Sequence, residues 1–373
     1  MTAEQIFSPA IDWDFGTAYE LFISLHVFHD PDSYGIRASW AAGVRSRIPA
    51  AERKLLEEVY PFTGVPLKWI HRLPAPKDAI SALWALKQVP ASERMFKLYQ
   101  LHEEYHVKSD EDAEKYEQVR EALKRIASER AWKPEDADLF LKVFGKKIKS
   151  SIKKDAVTRC LDWWSRQDEL GEGFLSALQF YYQAFFEEEE KRLEPVLRAS
   201  LEHAQDLART LPLEQLFVEL SQGVQLGEEF RASKFIFAPA FWTTPLIFFE
   251  KTSPDTQLIL FGARPADMSA IPGETLPEGL VRSLKALADP TRLKILYYLS
   301  HESLTPSELA RRLHLRAPTV THHLSELRLA SLVEFTMKHD EKRYKLRIQG
   351  IESTFENLTA FLEAESKEKV LIP

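Results

Sequence analysis

The sequence predicts a mainly α-helical protein, built from a large N-terminal domain and a smaller C-terminal one. Three observations lead to this prediction. Apolar residues recur at helical spacing through the first 230 residues, short β-prone runs are confined to residues 233–263, and helix start signals follow one another after residue 276. With 373 residues, of which 45% are hydrophobic, the chain is long and apolar enough for two or three domains with buried cores.

The N-terminal domain, residues 1–232, is predicted to consist of helices joined by short loops. Leu21 shares one helix face with the apolar residues four and seven positions later. A longer pattern runs from about residue 174 to residue 210, and Pro195 is expected to kink or end that helix.

A small β element is predicted to follow and to belong to the same domain. Residues 233–263 contain three short runs rich in Phe, Ile and Leu, separated by Pro- and Thr-rich turns, which indicates a small sheet or meander. Residues 264–276 contain Pro265, Pro272 and Gly273 with little periodicity, and this composition is typical of a linker.

Residues 277–366 are predicted to form the second domain, with a short tail over residues 367–373. Asp289 can cap the second helix of this domain with its side chain. The proline that follows occupies the first helical position, where no N–H is needed. Thr305 can cap the third helix, since the proline and the glutamate that follow complete a capping box.

The third and fourth helices of this domain are separated by a turn of three residues, the layout of a helix-turn-helix. Val320, Leu324 and Leu327 would pack the fourth helix against the third. Short polar side chains face the other way near its N-terminus, the end that reaches base edges in a major groove. Four of them are candidate base contacts: Thr319, Thr321, His322 and Ser325.

Two alternating runs after the fourth helix, around Phe335 and Tyr344, predict a hairpin that would form a basic wing beside that helix. Residues 275–350 hold 13 Lys and Arg against 8 Asp and Glu, a net charge of +5, whereas residues 1–274 hold 34 against 43, a net charge of −9. This asymmetry favours a phosphate-facing surface, and a chance cluster is the alternative. The candidate phosphate contacts are Arg292, Arg316, Lys342 and Arg343.

Three segments carry a resemblance to a known family: LKALADPTRLKIL at 284–296, PTVTHHLSEL at 318–327 and YKL at 344–346. They closely resemble the ArsR/SmtB-type winged helix-turn-helix repressors, over about a quarter of the chain, residues 276–365. The resemblance implies a C-terminal winged helix-turn-helix that binds DNA as a dimer, pairs through its first and last helices, and releases its operator on a signal. The candidate dimerisation residues are Leu280, Leu284, Ile351, Phe355, Leu358 and Leu362. Residues 18–26 and 35–40 more faintly resemble large regulators that precede such a domain with an uncharacterised helical domain.

The sequence departs from this family at the positions where metal sensors hold their ligands. Thr305 and Ser307 stand where thiolate sensors have cysteines, and residues 350–365 contain no histidine. Because hydroxyl groups do not hold thiophilic metals, we predict no metal site and no cofactor.

One short motif indicates a different function. His102, Glu103 and His106 match the His-Glu-x-x-His pattern of zinc hydrolases, in which two histidines bind zinc and the glutamate activates water. Glu104 lies where metalloproteases favour an apolar residue, and no third ligand is marked. A solvated helix face is the alternative interpretation.

Four other features have two interpretations each. The aromatic cluster 180–186 could line an effector pocket or belong to the core, and the basic run 146–154 could contact DNA or be solvated. His323 is expected beside the core, whereas metal or pH sensing by the histidine pair is the alternative. Cys160 could be buried and inert or a thiol sensor.

These patterns together predict a dimeric, sequence-specific DNA-binding transcriptional regulator, a repressor, whose N-terminal domain serves an unknown signal or dimerisation. Its partners would be double-stranded operator DNA with two-fold symmetry, a second copy of the chain and an unknown small-molecule effector. We assign no catalytic residue. A zinc-dependent hydrolase with an accessory winged helix and a winged helix for protein contacts remain the alternatives. A single cysteine, and no apolar run long enough to span a bilayer, predict a cytoplasmic protein without a membrane contact.

Overall fold

The computed structural model describes residues 9–99, 110–144, 154–227, 232–338 and 341–368. The protein is mainly α-helical, as predicted. Its N-terminal part, here called the body, contains twelve helices and four strands among these residues. The helices are α1 Thr17–His29, α2 Ala38–Arg45, α3 Ala50–Val59, α4 Leu67–His71, α5 Ala79–Lys87, α6 Ala91–Leu98, α7 Asp110–Glu129, α8 Pro134–Phe144, α9 Lys154–Trp164, α10 Gln167–Tyr181, α11 Glu187–Ala208 and α12 Leu213–Leu220.

The strands of the body form one mixed sheet. They are β1 Ala10–Trp13, β2 Lys234–Ala240, β3 Phe248–Ser253 and β4 Thr256–Gly262, in the order β1-β2-β4-β3. The three strands predicted near residue 250 are confirmed, but the sheet is not a meander, because β2 and β4 are parallel neighbours and β3 lies outside them. The sequence did not reveal β1, which is only four residues long and pairs in parallel with β2.

The sheet separates two apolar layers of the body. Ile236 and Leu258 point into the large helical core that surrounds α1, whereas Phe237 and Phe261 face the layer formed by α12 and the end of α11. Alternate residues of β2 and β4 are therefore buried on both faces, as expected for central strands that are covered on each side by helices.

Helix α1 lies at the centre of the body rather than on its surface. Eleven of its 13 residues are buried, so the amphipathic pattern read from Leu21 identified a helix correctly but not its all-round burial. Glu20 is among these residues, and its carboxylate accepts hydrogen bonds from the backbone N–H groups of Phe241 and Trp242 at 2.5 and 3.2 Å. Burial raises the pKa of Glu20 to about 8.

A single long helical segment connects α10 to α11 through a π-helical turn at Tyr182–Phe186. Pro195 lies within α11 and does not end it, contrary to one of the two expectations. Leu193 and Leu197, on either side of the proline, are fully buried, and this packing offsets the missing backbone hydrogen bond. The aromatic cluster belongs largely to the core, since Tyr181 and Phe186 are buried.

The C-terminal part, here called the module, contains five helices and a hairpin. They are α13 Glu278–Leu287, α14 Pro290–His301, α15 Pro306–Leu313, α16 Ala317–Leu329, β5 Val333–Lys338, β6 Glu341–Leu346 and α17 Ile348–Glu368. The hairpin strands are antiparallel, and β6 begins at Glu341, which the sequence pattern predicts to lie in the hairpin tip at residues 339–342. The module has its own apolar core between α14, α15, α16 and the hairpin.

The segment between the two parts is packed at its middle and exposed on either side, at residues 265–267 and 272–276. Ser269, Ala270 and Ile271, within the stretch expected to be a linker, are buried. The carboxylate of Glu278, at the start of α13, accepts hydrogen bonds from the Ser269 hydroxyl and the Ala270 N–H at 2.7 and 2.9 Å. The start of the module is therefore held by the chain that leads into it.

Candidate nucleic-acid interface

The helix-turn-helix is formed by α15 and α16. Both hydrogen bonds of the capping box at Thr305 are present, so the start of α15 follows the sequence signal. His314 ends α15 in the left-handed conformation with φ of 53°, and the Leu315 N–H donates to the Ala310 carbonyl at 3.0 Å. These contacts set the tight turn that directs the chain into α16.

Helix α16, here called the recognition helix, presents two different faces. Val320, Leu324 and Leu327 are buried against the core of the module. The four candidate base contacts lie on the opposite side and are exposed: Thr319, Thr321, His322 and Ser325. The exposed Ser325 hydroxyl donates to the Thr321 carbonyl at 3.0 Å within the helix.

The adjacent histidines of the recognition helix differ in environment, as the helical spacing predicts. His322 is exposed, whereas His323 is half-buried and its Nδ1 is buried without a hydrogen-bond partner among the described residues. Their ring centroids are 6.0 Å apart with the planes inclined by 46°. Only His322 is placed to contact a molecule that approaches this face.

The candidate phosphate contacts lie in three different environments. Arg316 is exposed at the residue that precedes the recognition helix. Lys342 is also exposed, with its ammonium nitrogen 5.1 Å from the centre of the Phe335 ring. Arg343 is half-buried, because it donates to the Ser303 carbonyl at 2.8 Å and lies 3.4 Å from the Glu308 carboxylate.

Arg292 does not occupy the exposed position expected of a phosphate contact. Its side chain is only 16% exposed and lies 3.7 Å from the carboxylates of both Asp289 and Glu326. Glu326 belongs to the recognition helix, so Arg292 joins the start of α14 to that helix. One acidic partner, Asp289, is local and the other, Glu326, is distant in sequence, and together they hold this cation in a placement that does not favour the phosphate contact.

Two further cations of the module are exposed. Arg311 on α15 was not singled out in the sequence, whereas Lys345 on β6 belongs to the basic wing that the hairpin pattern predicted. Lys345 alternates along β6 with the buried Tyr344, in keeping with the two-residue period of the hairpin.

The body leaves the N-terminal half of the recognition helix exposed and contacts its C-terminal end. Arg328, in the last turn, is buried and donates to the carbonyls of Gln222 and Ser221 at 2.7 Å each and of Pro245 at 3.2 Å. Burial lowers the pKa of Arg328 to about 10. This role could not be predicted from local sequence, because the three acceptors are backbone atoms of distant segments.

The hairpin is also joined to the body. The Phe335 N–H donates to the Gly223 carbonyl at 2.9 Å, and the Gln225 N–H donates to the Phe335 carbonyl at 3.0 Å, so Val224 pairs in parallel with β5. The Thr336 hydroxyl donates to the Gln225 side chain at 2.5 Å. The wing is therefore held on its β5 side by backbone hydrogen bonds from the body.

The candidate dimerisation residues divide into buried and exposed members. Leu280 is only 5% exposed and packs within its own chain, so it is not available to a second copy. Phe355 and Leu362 on α17 are 55% and 59% exposed. Leu284, Ile351 and Leu358 are half-buried. The apolar face of α17 is thus the open part of the set.

Two observations bear on the other candidate sites. The His102-Glu103-x-x-His106 motif and most of the basic run 146–154 lie outside the described residues. Among the residues that are described, no group of three or more His, Cys, Asp or Glu side chains is arranged to hold a metal ion.

Cys160 is buried, and burial raises the pKa of its thiol. Within the same described ranges, no helix combines the length and the apolar character that crossing a membrane requires.

Comparison with known proteins identifies similar proteins for the module. Residues 289–334, from the cap of α14 to the start of β5, match the family model described as "Bacterial regulatory protein, arsR family". The chain is 39% identical over 66 residues to the uncharacterized HTH-type transcriptional regulator MJ0229 of Methanocaldococcus jannaschii, covering 18% of this chain and 70% of the relative.

Two further relatives are similar to a part of the chain. The HTH-type transcriptional regulator CmtR of Mycobacterium tuberculosis is 41% identical over 73 residues, covering 20% of this chain and 62% of the relative, less than two thirds of its length. The transcriptional repressor SdpR of Bacillus subtilis is 28% identical over 78 residues, covering 21% of this chain and 87% of the relative.

Proposed function

Because this chain belongs to the arsR family of regulatory proteins through its C-terminal module, we propose that it is a sequence-specific DNA-binding transcriptional regulator that acts as a homodimer. The observation that carries the proposal is the exposed N-terminal half of the recognition helix. Its short polar side chains stand free of both the body and the core of the module. A helix presented in this way can enter a major groove.

Base contacts and phosphate contacts come from different side chains in this proposal. Thr319, Thr321, His322 and Ser325 read base edges, and Arg316, Lys342 and Arg343 hold phosphates. Arg292 instead supports the recognition helix through its ion pair with Glu326. Arg311 and Lys345 are further exposed cations that can follow the phosphate backbone.

Dimerisation is proposed to use the open face of α17. Five of the ten large apolar side chains that are exposed among the described residues lie in the module, although it is the smaller part of the chain, and three of these five are on α17. Such a concentration is typical of a protein interface. A two-fold dimer would present two recognition helices to half-sites about one helical turn apart.

The body is proposed to receive a signal and transmit it to the module. Its net negative charge makes it unsuited to gripping DNA, whereas its buried contacts with Arg328 and β5 link it to both DNA-facing elements. We propose repression as the outcome of DNA binding, by analogy with the repressor SdpR, and the cytoplasm as the compartment, since the one cysteine is a buried thiol.

Selection of bound sequences from a random pool of duplex DNA tests the proposal. We expect an enriched motif with two-fold symmetry and with half-sites spaced by one helical turn. An enriched motif without symmetry would contradict the dimer but not DNA recognition. No affinity for any duplex at low salt would overturn the proposal and favour a winged helix for protein contacts.

A further inference from the structure

A cavity of about 320 Å³ lies where the body meets the module. The body contributes the ends of α11 and α12 and the loops after β2 and β4, and the module contributes α13, the end of the recognition helix and the start of α17. Its volume is in the range of sites that hold small molecules.

The charged lining of this cavity is mainly positive. Arg264, Arg282 and Arg347 line it together with His203, and Glu219 is the acidic residue of the lining. Glu219 is exposed, whereas Glu278, which attracts Arg264, is already engaged by Ser269 and Ala270. The positive charge of the three guanidinium groups therefore exceeds the negative charge of the cavity lining.

Arg264 has unused hydrogen-bonding capacity at this cavity. Its Nη2 donates to the Thr244 carbonyl at 3.0 Å, but its Nη1 is buried and has no partner among the described residues. Burial lowers the pKa of Arg264 to about 10, and repulsion from Arg282 and Arg192 acts in the same direction. A buried donor without an acceptor is costly, and a bound anion would remove that cost.

The rest of the lining includes apolar side chains. Leu207, Leu220, Phe261 and Leu280 contribute to it, together with Met268. This combination differs from a site for a bare inorganic ion, because an apolar body would be buried beside the anionic group.

We propose that this cavity binds a small organic acid, whose carboxylate or phosphate group is held by Arg264 with Arg282 and Arg347, and whose apolar part contacts the leucine and phenylalanine side chains. Arginine suits such a group because its planar donors match two anionic oxygens at once.

The position of the cavity gives the ligand a route to the recognition helix. Arg282 donates to the Gly35 carbonyl of the body at 2.6 Å and to the Leu329 carbonyl, the last residue of the recognition helix, at 3.4 Å. Arg347 donates to the Ser331 carbonyl at 3.4 Å. An anion that draws these guanidinium groups toward itself competes with the contacts that hold the end of that helix. This coupling step rests on the proposed DNA binding, whereas ligand binding does not.

Binding is tested on the full chain without DNA, with benzoate, phenyl phosphate and the neutral benzamide as probes. We expect benzoate or phenyl phosphate to raise the midpoint of thermal unfolding with concentration and to give a saturable heat by calorimetry, and benzamide to do neither. Arg264→Gln should weaken binding at least tenfold. Glu219→Gln is the matched control at an exposed position, and it should bind the anions as tightly as the parent or more tightly.

Equal binding of benzamide, unchanged affinity in Arg264→Gln, or no binding of either anion at millimolar concentration would overturn the proposal. If Arg264→Gln fails to fold, Arg347→Gln provides the same comparison, because it breaks only one long hydrogen bond. The effect of the bound anion on affinity for the selected duplex is measured separately. Anion binding that leaves duplex affinity unchanged would overturn the coupling alone.

Discussion

The guanidinium of Arg328 donates a hydrogen bond of 2.7 Å to the carbonyl oxygen of Ser221, and this contact joins the last turn of the recognition helix to the body. A second bond of the same length to Gln222 and a third to Pro245 complete the contact. The helix proposed to read DNA is therefore fixed at the end that faces away from the proposed base contacts.

Arg328→Leu is expected to destabilise the junction between body and module. The substitution leaves three carbonyls without their donor, at a cost of about 3 kcal/mol. Urea unfolding followed by circular dichroism should show a lower first midpoint, with the module unfolding before the body. Arg328→Lys should recover little of this stability, because an ammonium group cannot reach three acceptors in a plane. A single unchanged transition in Arg328→Leu would contradict this role.

Arg316→Ala is expected to weaken binding to all duplex sequences alike. Arg316 is exposed beside the start of the recognition helix, so the loss of one phosphate contact should lower the slope of log affinity against log salt by about 1. Fluorescence anisotropy over a salt series measures this slope. Lys87→Ala, at an exposed cation of the body, should leave it unchanged. Equal slopes in the parent and Arg316→Ala would remove Arg316 from the interface.

His322→Ala is expected to change which sequences are preferred while the salt slope stays constant. The exposed imidazole is proposed to contact a base edge, and such a contact is worth about 1–3 kcal/mol of discrimination. Repeating the selection from random duplex DNA with the variant should show relaxed preference within each half-site. An identical motif from the parent and the variant would exclude this contact.

Phe355→Glu is expected to convert the dimer to a monomer. Phe355 is 55% exposed in the single chain, so the charge should disturb the contact between copies rather than the fold. Sedimentation equilibrium reports the mass of each variant. Trp84→Glu is the matched control, since Trp84 is 65% exposed on α5 of the body. A dimer that persists in Phe355→Glu would place the interface elsewhere.

Glu20 is expected to make stability fall as the pH rises from about 5 to 8. Its pKa is about 8 in the folded protein and near 4.5 in the unfolded chain, so folding retains a proton across this interval. The stabilisation present below pH 4.5 is then lost by up to about 1.4 kcal/mol per pH unit. Urea unfolding at pH 5.5 and 8 should give a smaller decrease in Glu20→Gln than in the exposed control Glu219→Gln. Parallel decreases would contradict the prediction.

The helices of the module could be predicted because their signals are local. Asp289 accepts from the Arg292 N–H at 2.8 Å, and the capping box at Thr305 forms as its residue types require. The orientation of the recognition helix also followed from sequence, since Leu324 and His322 lie on opposite sides of any helix that contains both. Neither inference depends on where segments distant in sequence lie in the folded protein.

The fate of the cations could not be predicted in the same way. Arg282, Arg292 and Arg328 contribute to the net charge of the module, yet each is held by a carbonyl or a carboxylate that only the folded chain brings near. The positive surface is therefore smaller than the composition indicates. The cavity at the junction could not be predicted either, because its arginines lie on segments that are separate in sequence.

The pairing of Val224 with β5 also limits how two copies of the chain can associate. Phe335 uses both of its backbone groups in that pairing, and Tyr344 of β6 exchanges hydrogen bonds with Leu304 at 2.8 and 2.9 Å. Each margin of the hairpin is thus already occupied at Phe335 and Tyr344, which disfavours strand-to-strand association through the wing. Self-association of the module is then expected to use its helical surfaces.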